Sequence, residues 1–187
     1  DSTIQYPSGD LIKFYHGLEP RLSLRWLLPD NSSIKAGYSY NYQYVHLTAL
    51  SAVSLPTDIW YPTTDIAKPQ IGYQASVGYF KNFFDDVLET SVEIYYKKMN
   101  NMIEYREGAL PGDNVNDNTD NLLVFGEGWS YGIEFFIKKS LGDFTGWIGY
   151  TWAKSDRLFP DLNGGELYAA KYDRRHDLSV VGSYKLN

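Results

Sequence analysis

The chain has 187 residues, a formal net charge of -6 and no cysteine, so disulfides, thiolate metal sites and a cysteine nucleophile are excluded. The negative charge argues against nucleic acid as a partner. No run of about 18 apolar residues occurs, and the sequence therefore predicts no membrane-spanning helix. Tyrosine is abundant, with 17 copies.

Alternation of apolar and polar residues predicts about seven strands. The polar segment from Asp1 to Gly17 is predicted to be a loop with a short strand near residues 11–15. A strand follows from Leu18 to Leu28, and the next, from Ser33 to Leu47, carries a tyrosine at every second position from 38 to 44. The remaining strands are predicted at about 71–80, 87–99, 127–138, 144–154 and 177–186.

The connections between these strands alternate between short and long. Turn residues fill the short connections, and the long ones cover about 47–70, 99–127 and 156–173. The second long connection contains Asp113, Asp117 and Asp120, whose oxygens suit a hard cation such as Ca²⁺. Their spacing does not match a calcium-binding EF-hand loop, so we predict a solvated loop and no metal site.

Charges avoid one face of every predicted strand until Lys98 and Lys154, which lie at strand ends. In an outer-membrane barrel a Lys or Arg that faces lipid at the midplane costs about 2–4 kcal/mol. Such barrels also have short turns at one end, long loops at the other, and tyrosine and tryptophan at the interfaces. The pattern predicts an all-β fold: an antiparallel transmembrane β-barrel, present in part.

A soluble β-barrel or sandwich that binds a carbohydrate or a hydrophobic ligand is the main alternative. It also has one uncharged face, which it buries in its core. That reading predicts that the tyrosines at 38 to 44 are enclosed. A passive porin or adhesin barrel is a third possibility. The long strands, the alternating connections and the glycine- and serine-rich polar face favour the transmembrane barrel.

Four segments in order resemble the barrel of TonB-dependent outer-membrane receptors, most closely those of Bacteroidetes-type bacteria. They are FYHGLEPRLSLRW (Phe14–Trp26), YYKKMNNMIEYREGA (Tyr95–Ala109), GWSYGIEFFIKKSLGDFTGWIGYTWAKSDR (Gly128–Arg157) and YDRRHDLSVVGSYKL (Tyr172–Leu186). The resemblance implies a location in the bacterial outer membrane. It also implies active uptake of a nutrient such as an iron chelate, a cobalamin or a glycan fragment.

The family architecture has a large barrel around an N-terminal plug, and a TonB box couples transport to the inner membrane. Neither a plug nor a TonB box is visible here, so residues 1–187 are expected to be a fragment of one barrel domain. The expected partners are outer-membrane lipid, the TonB complex acting through the plug, a small nutrient ligand and a surface lipoprotein. No cofactor is expected.

Candidate ligand-binding residues lie in the first two long connections. Asp58, Trp60 and Tyr61 offer aromatic rings that can stack on a sugar or a catecholate; the alternative is that they pack on neighbouring loops. Arg106 and Glu107 begin the second long connection and are expected to face a substrate. No G-x-S-x-G, H-E-x-x-H or phosphate-loop motif is present, so the sequence does not predict an enzyme.

Overall fold

The computed structural model describes residue 7 and residues 9–11, 13–48, 59–109 and 119–186, with only the backbone described at residues 59 and 119. The strands in these residues are β1 (Arg21–Leu28), β2 (Ser32–Gln43), β3 (Val45–Thr48), β4 (Ile59–Pro62), β5 (Gln70–Phe83), β6 (Leu88–Tyr105), β7 (Leu123–Lys139), β8 (Phe144–Leu158), β9 (Tyr168–Ala169) and β10 (His176–Tyr184). Two short 3₁₀ turns cover Thr119–Leu122 and Asn163–Gly165. The described helical segments include none long and apolar enough to cross a membrane.

The seven long strands form one antiparallel meander in the order β1-β2-β5-β6-β7-β8-β10, and β9 pairs with the end of β8. Each strand pairs with the next long strand along the chain. Strands β1 and β10 are the two edges, and no pairing between them is found in the described residues. The all-β, partial-barrel fold predicted from sequence is therefore confirmed as an open seven-strand sheet.

Tight turns occupy one end of the sheet. Asp30 and Asn31 join β1 to β2 with φ values of 60° and 52°, in the left-handed region that short hairpin loops need. Phe84 to Asp86 join β5 to β6, also at positive φ, and residues 140–143 join β7 to β8. The connections at the other end are long, as predicted; we call the two ends the turn end and the loop end.

The pairing register aligns apolar residues across the whole sheet. One row contains a residue from each of the seven long strands and no charge: Trp26, Ile34, Tyr79, Val92, Phe135, Tyr150 and Leu178. The row of neighbouring residues, which point to the opposite side, is polar: Arg25, Lys35, Gly78, Glu93, Glu134, Thr151 and Asp177. We call these two sides of the sheet the apolar face and the polar face.

The apolar face is open. Trp26 is 64% exposed and Val180 63% exposed, and Tyr79, Ile94 and Ile148 are exposed as well. Away from its loop end, where the β3–β4 hairpin packs on β6, no described element forms a second layer over this face. An uncovered apolar surface of this extent marks contact with a membrane or with other protein. A soluble barrel or sandwich would instead bury these side chains in its core.

Lysines on the apolar face lie near strand ends: Lys81 and Lys139 toward the turn end, and Lys98 and Lys154 toward the loop end, where both are paired. Lys98 contacts Glu127 at 2.9 Å and lies over the ring of Trp129, and Lys154 contacts Asp156 at 3.0 Å. These pairs lie toward the loop end, among the tyrosines of β2, β5 and β6. Tryptophan and lysine at such strand ends are typical of the interfacial belt of a membrane barrel, and the position of Trp129 at an interface stays a prediction.

The structure corrects several strand assignments made from the sequence. The predicted strand Ser33–Leu47 is two strands, because β2 ends at Gln43 and β3 begins at Val45. The first long connection contains β4, which pairs with β3 in a hairpin that the sequence analysis missed. The short strand expected near residues 11–15 is absent from the described part of that segment, which instead attaches to residues 64–65 through Tyr15 and Lys13.

Candidate functional site at the loop end

Strands β6 and β7 continue past the membrane-spanning length and form a platform at the loop end. A tilted strand spans a membrane in about 9–11 residues, whereas β6 has 18 and β7 has 17. A bulge between Met99 and Met102 shifts the register of β6. Asn101 lies in this bulge with a φ of 55°, and its side-chain amide donates to the backbone oxygen of Pro69 at 3.0 Å. The bulge thus reverses which face of the sheet the side chains of the last residues of β6 point to.

One side of the platform is covered by the β3–β4 hairpin. Ile103, Tyr105 and Leu123 form a buried cluster on this side, and Tyr61 of β4 packs against it. Thr48, at the end of β3, donates a hydrogen bond from its hydroxyl to the Tyr105 hydroxyl at 3.1 Å. The hairpin is therefore held on β6 by apolar burial and by a buried hydrogen bond.

The other side of the platform is covered by the connection after β8. Val124 packs there with Phe159 and Leu162, and Phe159 is fully buried. Gly126 of β7 makes this packing possible, because a Cβ atom at this position would overlap the ring of Phe159. The missing side chain at residue 126 therefore fixes where the third long connection crosses the platform.

An open cleft of about 430 Å³ lies where the second and third long connections meet. Residues 104–109 form one wall, and the other contains Leu162, Asn163, Tyr168 and Lys171. Lys171 and Glu104 are joined across it by an ion pair of 3.4 Å. Sequence reasoning found Arg106 and Glu107 but missed Glu104, Tyr168 and Lys171, because their proximity depends on how the connections fold back.

Arg106 and Glu107 have different environments in this cleft. Glu107 accepts a hydrogen bond at 3.0 Å from the backbone N–H of Asn163, so it ties the two long connections together. The backbone of Arg106 donates to the Leu122 oxygen at 2.8 Å, while its side chain is exposed. Arg106 is therefore the group of the two that can reach a ligand without breaking a contact between the connections.

Tyr61 and Trp60 also differ. The Tyr61 hydroxyl donates to Asp120 Oδ1 at 2.6 Å, and burial together with this carboxylate raises the pKa of Tyr61. Trp60 is 66% exposed and can contact a ligand. Asp58, the third candidate of this connection, lies outside the described residues. Tyr61 thus packs on its neighbours, and ligand contact by this residue stays a prediction.

Asp120 is an exception to the solvated acidic loop predicted from the sequence. It is buried, and it accepts hydrogen bonds from Tyr61 and from the Thr64 hydroxyl at 3.2 Å. Asp113 and Asp117, the other acidic residues of that pattern, lie outside the described residues. No group of three or more acidic or histidine side chains with metal-binding geometry occurs among the residues that the structure describes.

The electrostatics of the cleft favour a neutral phenol at Tyr168. Burial and the neighbouring Glu104 carboxylate raise the pKa of Tyr168 to about 12, and its hydroxyl has no hydrogen-bond partner among the described residues. With the exposed Arg106 guanidinium and the Glu104–Lys171 pair, the cleft offers several donors to a polar ligand.

Comparison with known proteins adds one match. The model of a family described as TonB dependent receptor-like, beta-barrel matches residues 3–184. No curated protein matches the chain.

Proposed function

Because this chain belongs to the TonB-dependent receptor β-barrel family, whose members are transport receptors of the bacterial outer membrane, we propose that it forms part of a barrel wall through which a scarce nutrient is actively imported. The observation that carries this proposal is the uncharged row that crosses all seven long strands and stays open. An exposed apolar face of this kind is stable in contact with lipid hydrocarbon. A sheet that faces lipid must also be closed by further strands at both edges, because lipid cannot satisfy the backbone groups of an open edge.

The polar face then borders the lumen, and the loop end lies outside the cell. Long loops of outer-membrane barrels are extracellular, so the cleft between the second and third long connections is exposed to incoming ligands. We propose that the nutrient binds at this end and that TonB-driven rearrangement of a plug opens its passage along the polar face. An iron chelate, a cobalamin or a glycan fragment fits this role.

The turn end offers a surface for the plug. A cavity of about 690 Å³ on the polar face contains Arg25, Lys35 and Glu89 in its lining. Lys35 lies over the ring of Phe80 at 3.9 Å. Mixed charges on a concave wall suit a polar protein partner inside the lumen. The TonB complex would act through that plug, and a surface lipoprotein would meet the loop end.

Among the candidate residues, Trp60 and Arg106 are proposed to contact the ligand directly, because both side chains are exposed. Tyr61 and Glu107 are proposed to hold the connections in place through their hydrogen bonds. Asp58 keeps its proposed role on sequence grounds alone.

Uptake measurements in cells test this function. Uptake of a radiolabelled ferric siderophore, cobalamin or oligosaccharide should fall when the receptor gene or the tonB gene is deleted. A Trp60→Ala receptor should lower uptake of the same compound, whereas Ile66→Ala, which removes another exposed apolar side chain of the first long connection, should not. Uptake of all three that is unaffected by both deletions would contradict the proposal.

A further inference from the structure

A second pocket, of about 210 Å³, lies beside the cleft on the other side of the Glu104–Lys171 ion pair. Its lining includes Gln43, Gln70, His46 and Arg157. None of these four residues was singled out by the sequence, and the transport proposal does not use them. Two of them, His46 and Arg157, have polar groups that the described residues leave without a full set of partners.

His46 is an inward-pointing side chain of β3. Its neighbours Val45 and Leu47 are 45% and 46% exposed, whereas His46 is 1% exposed. Neither ring nitrogen makes a hydrogen bond of good geometry in the described part of the chain, although the backbone of Lys68 lies close to the ring. Burial lowers the pKa of His46, an effect that the Lys68 backbone opposes, so the imidazole is neutral at pH 7 and carries one N–H donor. A buried, unpaired imidazole is costly unless a bound group completes its hydrogen bonds.

Arg157 of β8 lies on the other wall. Its Nη1 donates to the Asp156 backbone oxygen at 3.1 Å and to the Ser155 hydroxyl at 3.4 Å, which are both neutral acceptors. No carboxylate of the described residues lies within ion-pair distance of its guanidinium. Gly128 lets the guanidinium rest on β7, since a Cβ atom at residue 128 would lie 2.6 Å from Nη1. The backbone thus positions a partly buried cation that has no ion-pair partner in the described part of the chain, although the Glu104 and Asp156 carboxylates lie near enough to favour its charged form.

The remaining charges of the pocket cancel. Glu104 and Lys171 form their ion pair, and the amides of Gln43 and Gln70 are neutral. The net charge of the pocket is therefore positive, because of Arg157. Ligand pockets for drug-sized molecules have volumes of about 300–1,000 Å³. A pocket of about 210 Å³ therefore suits one small group.

We propose that this pocket binds a small anionic oxygen group, a carboxylate or a phosphate of a soluble molecule. The fork of Arg157 would hold two of its oxygens, and the N–H of His46 would donate to it. Such a site goes beyond the proposed function, because anion binding at equilibrium requires neither TonB nor transport.

Calorimetric titration of the purified full-length receptor in detergent tests the proposal, with inorganic phosphate and citrate as separate titrants. At least one should bind, and the comparison of the two distinguishes a phosphate site from a carboxylate site. Arg157→Gln and His46→Phe should each weaken that binding about 10- to 100-fold, as expected for the loss of hydrogen bonds to a charged group. Arg157→Lys should give an intermediate loss, because it keeps the charge without the fork.

Two exposed residues outside the pocket provide matched controls: Arg174→Gln and His16→Phe should bind as the wild type does. Resistance of the folded band to unfolding on unheated gels checks that each variant folds. If Arg157→Gln does not fold, Arg157→Lys and His46→Phe decide the result. Failure of both titrants to bind, or equal binding by folded pocket variants and controls, would overturn the anion site while leaving the uptake assay untouched.

Discussion

A single arginine placed on the apolar face should destabilise the receptor strongly. Ile94 lies near the centre of the segment of β6 from Leu88 to Lys98, opposite Val77 and Ile133, and is 51% exposed in the open sheet. If this face meets lipid, Ile94→Arg places a charge near the bilayer midplane. The expected loss is about 2–4 kcal/mol, which is about 30- to 900-fold in the folding equilibrium constant.

The matched control is the preceding residue, since Glu93 lies on the polar face. Glu93→Arg should change the free energy of unfolding by less than about 1 kcal/mol, because its side chain stays in water. Denaturant unfolding of the full-length receptor in lipid vesicles, followed by tryptophan fluorescence, measures both variants. Equal losses for the two variants, or a larger loss for Glu93→Arg, would refute the assignment of the faces.

Tyr61→Phe removes a hydrogen bond to the buried Asp120 carboxylate and should weaken the attachment of β4 by about 1.5–3 kcal/mol, seen as faster hydrogen exchange in β4; unchanged exchange would contradict this. Gly126→Ala should displace Phe159 and cost about 1–3 kcal/mol, so that proteases cleave the third long connection faster on intact cells than in the wild type. Burial keeps Tyr168 protonated up to about pH 12, whereas a tyrosine in the unfolded chain ionises near pH 10. The contribution of this group to the free energy of unfolding is therefore complete below pH 10 and is lost between pH 10 and 12. Tyr168→Phe should reduce this decline when unfolding is measured as a function of pH.

The alternation of apolar and polar residues predicted the fold well because the two faces of each long strand lie in different environments. In β2 the tyrosines at 38 and 40 share a parity with Ile34, and the structure places them on one face. A one-residue slip would put Lys35 on the apolar face, so the pattern itself specifies the register. The short turns were equally predictable from the sequence, since Asp30 and Asn31 adopt the positive φ angles that their residue types favour.

The loop end was less predictable because its contacts are long-range. The bulge at Asn101 reverses the parity of β6 beyond it, and no residue-type pattern announces that reversal. The sequence predicted that Arg106 faces a substrate, but it could not show that Asp120 is buried against Tyr61 from another connection. His46 belongs to no recognisable sequence motif. The lack of hydrogen-bond partners for its ring among the described residues is evident only from the folded structure.

The most direct test of the central claim is the accessibility of alternate residues along β6. The chain has no cysteine, so single cysteines at positions 88–98 of the full-length receptor, in an otherwise cysteine-free background, can each carry a spin label in a bilayer. Labels at even positions, on the side of Val92 and Ile94, should collide with oxygen dissolved in lipid. Labels at odd positions should collide with a water-soluble nickel complex. The reverse alternation, or none, would contradict a lipid-facing apolar face.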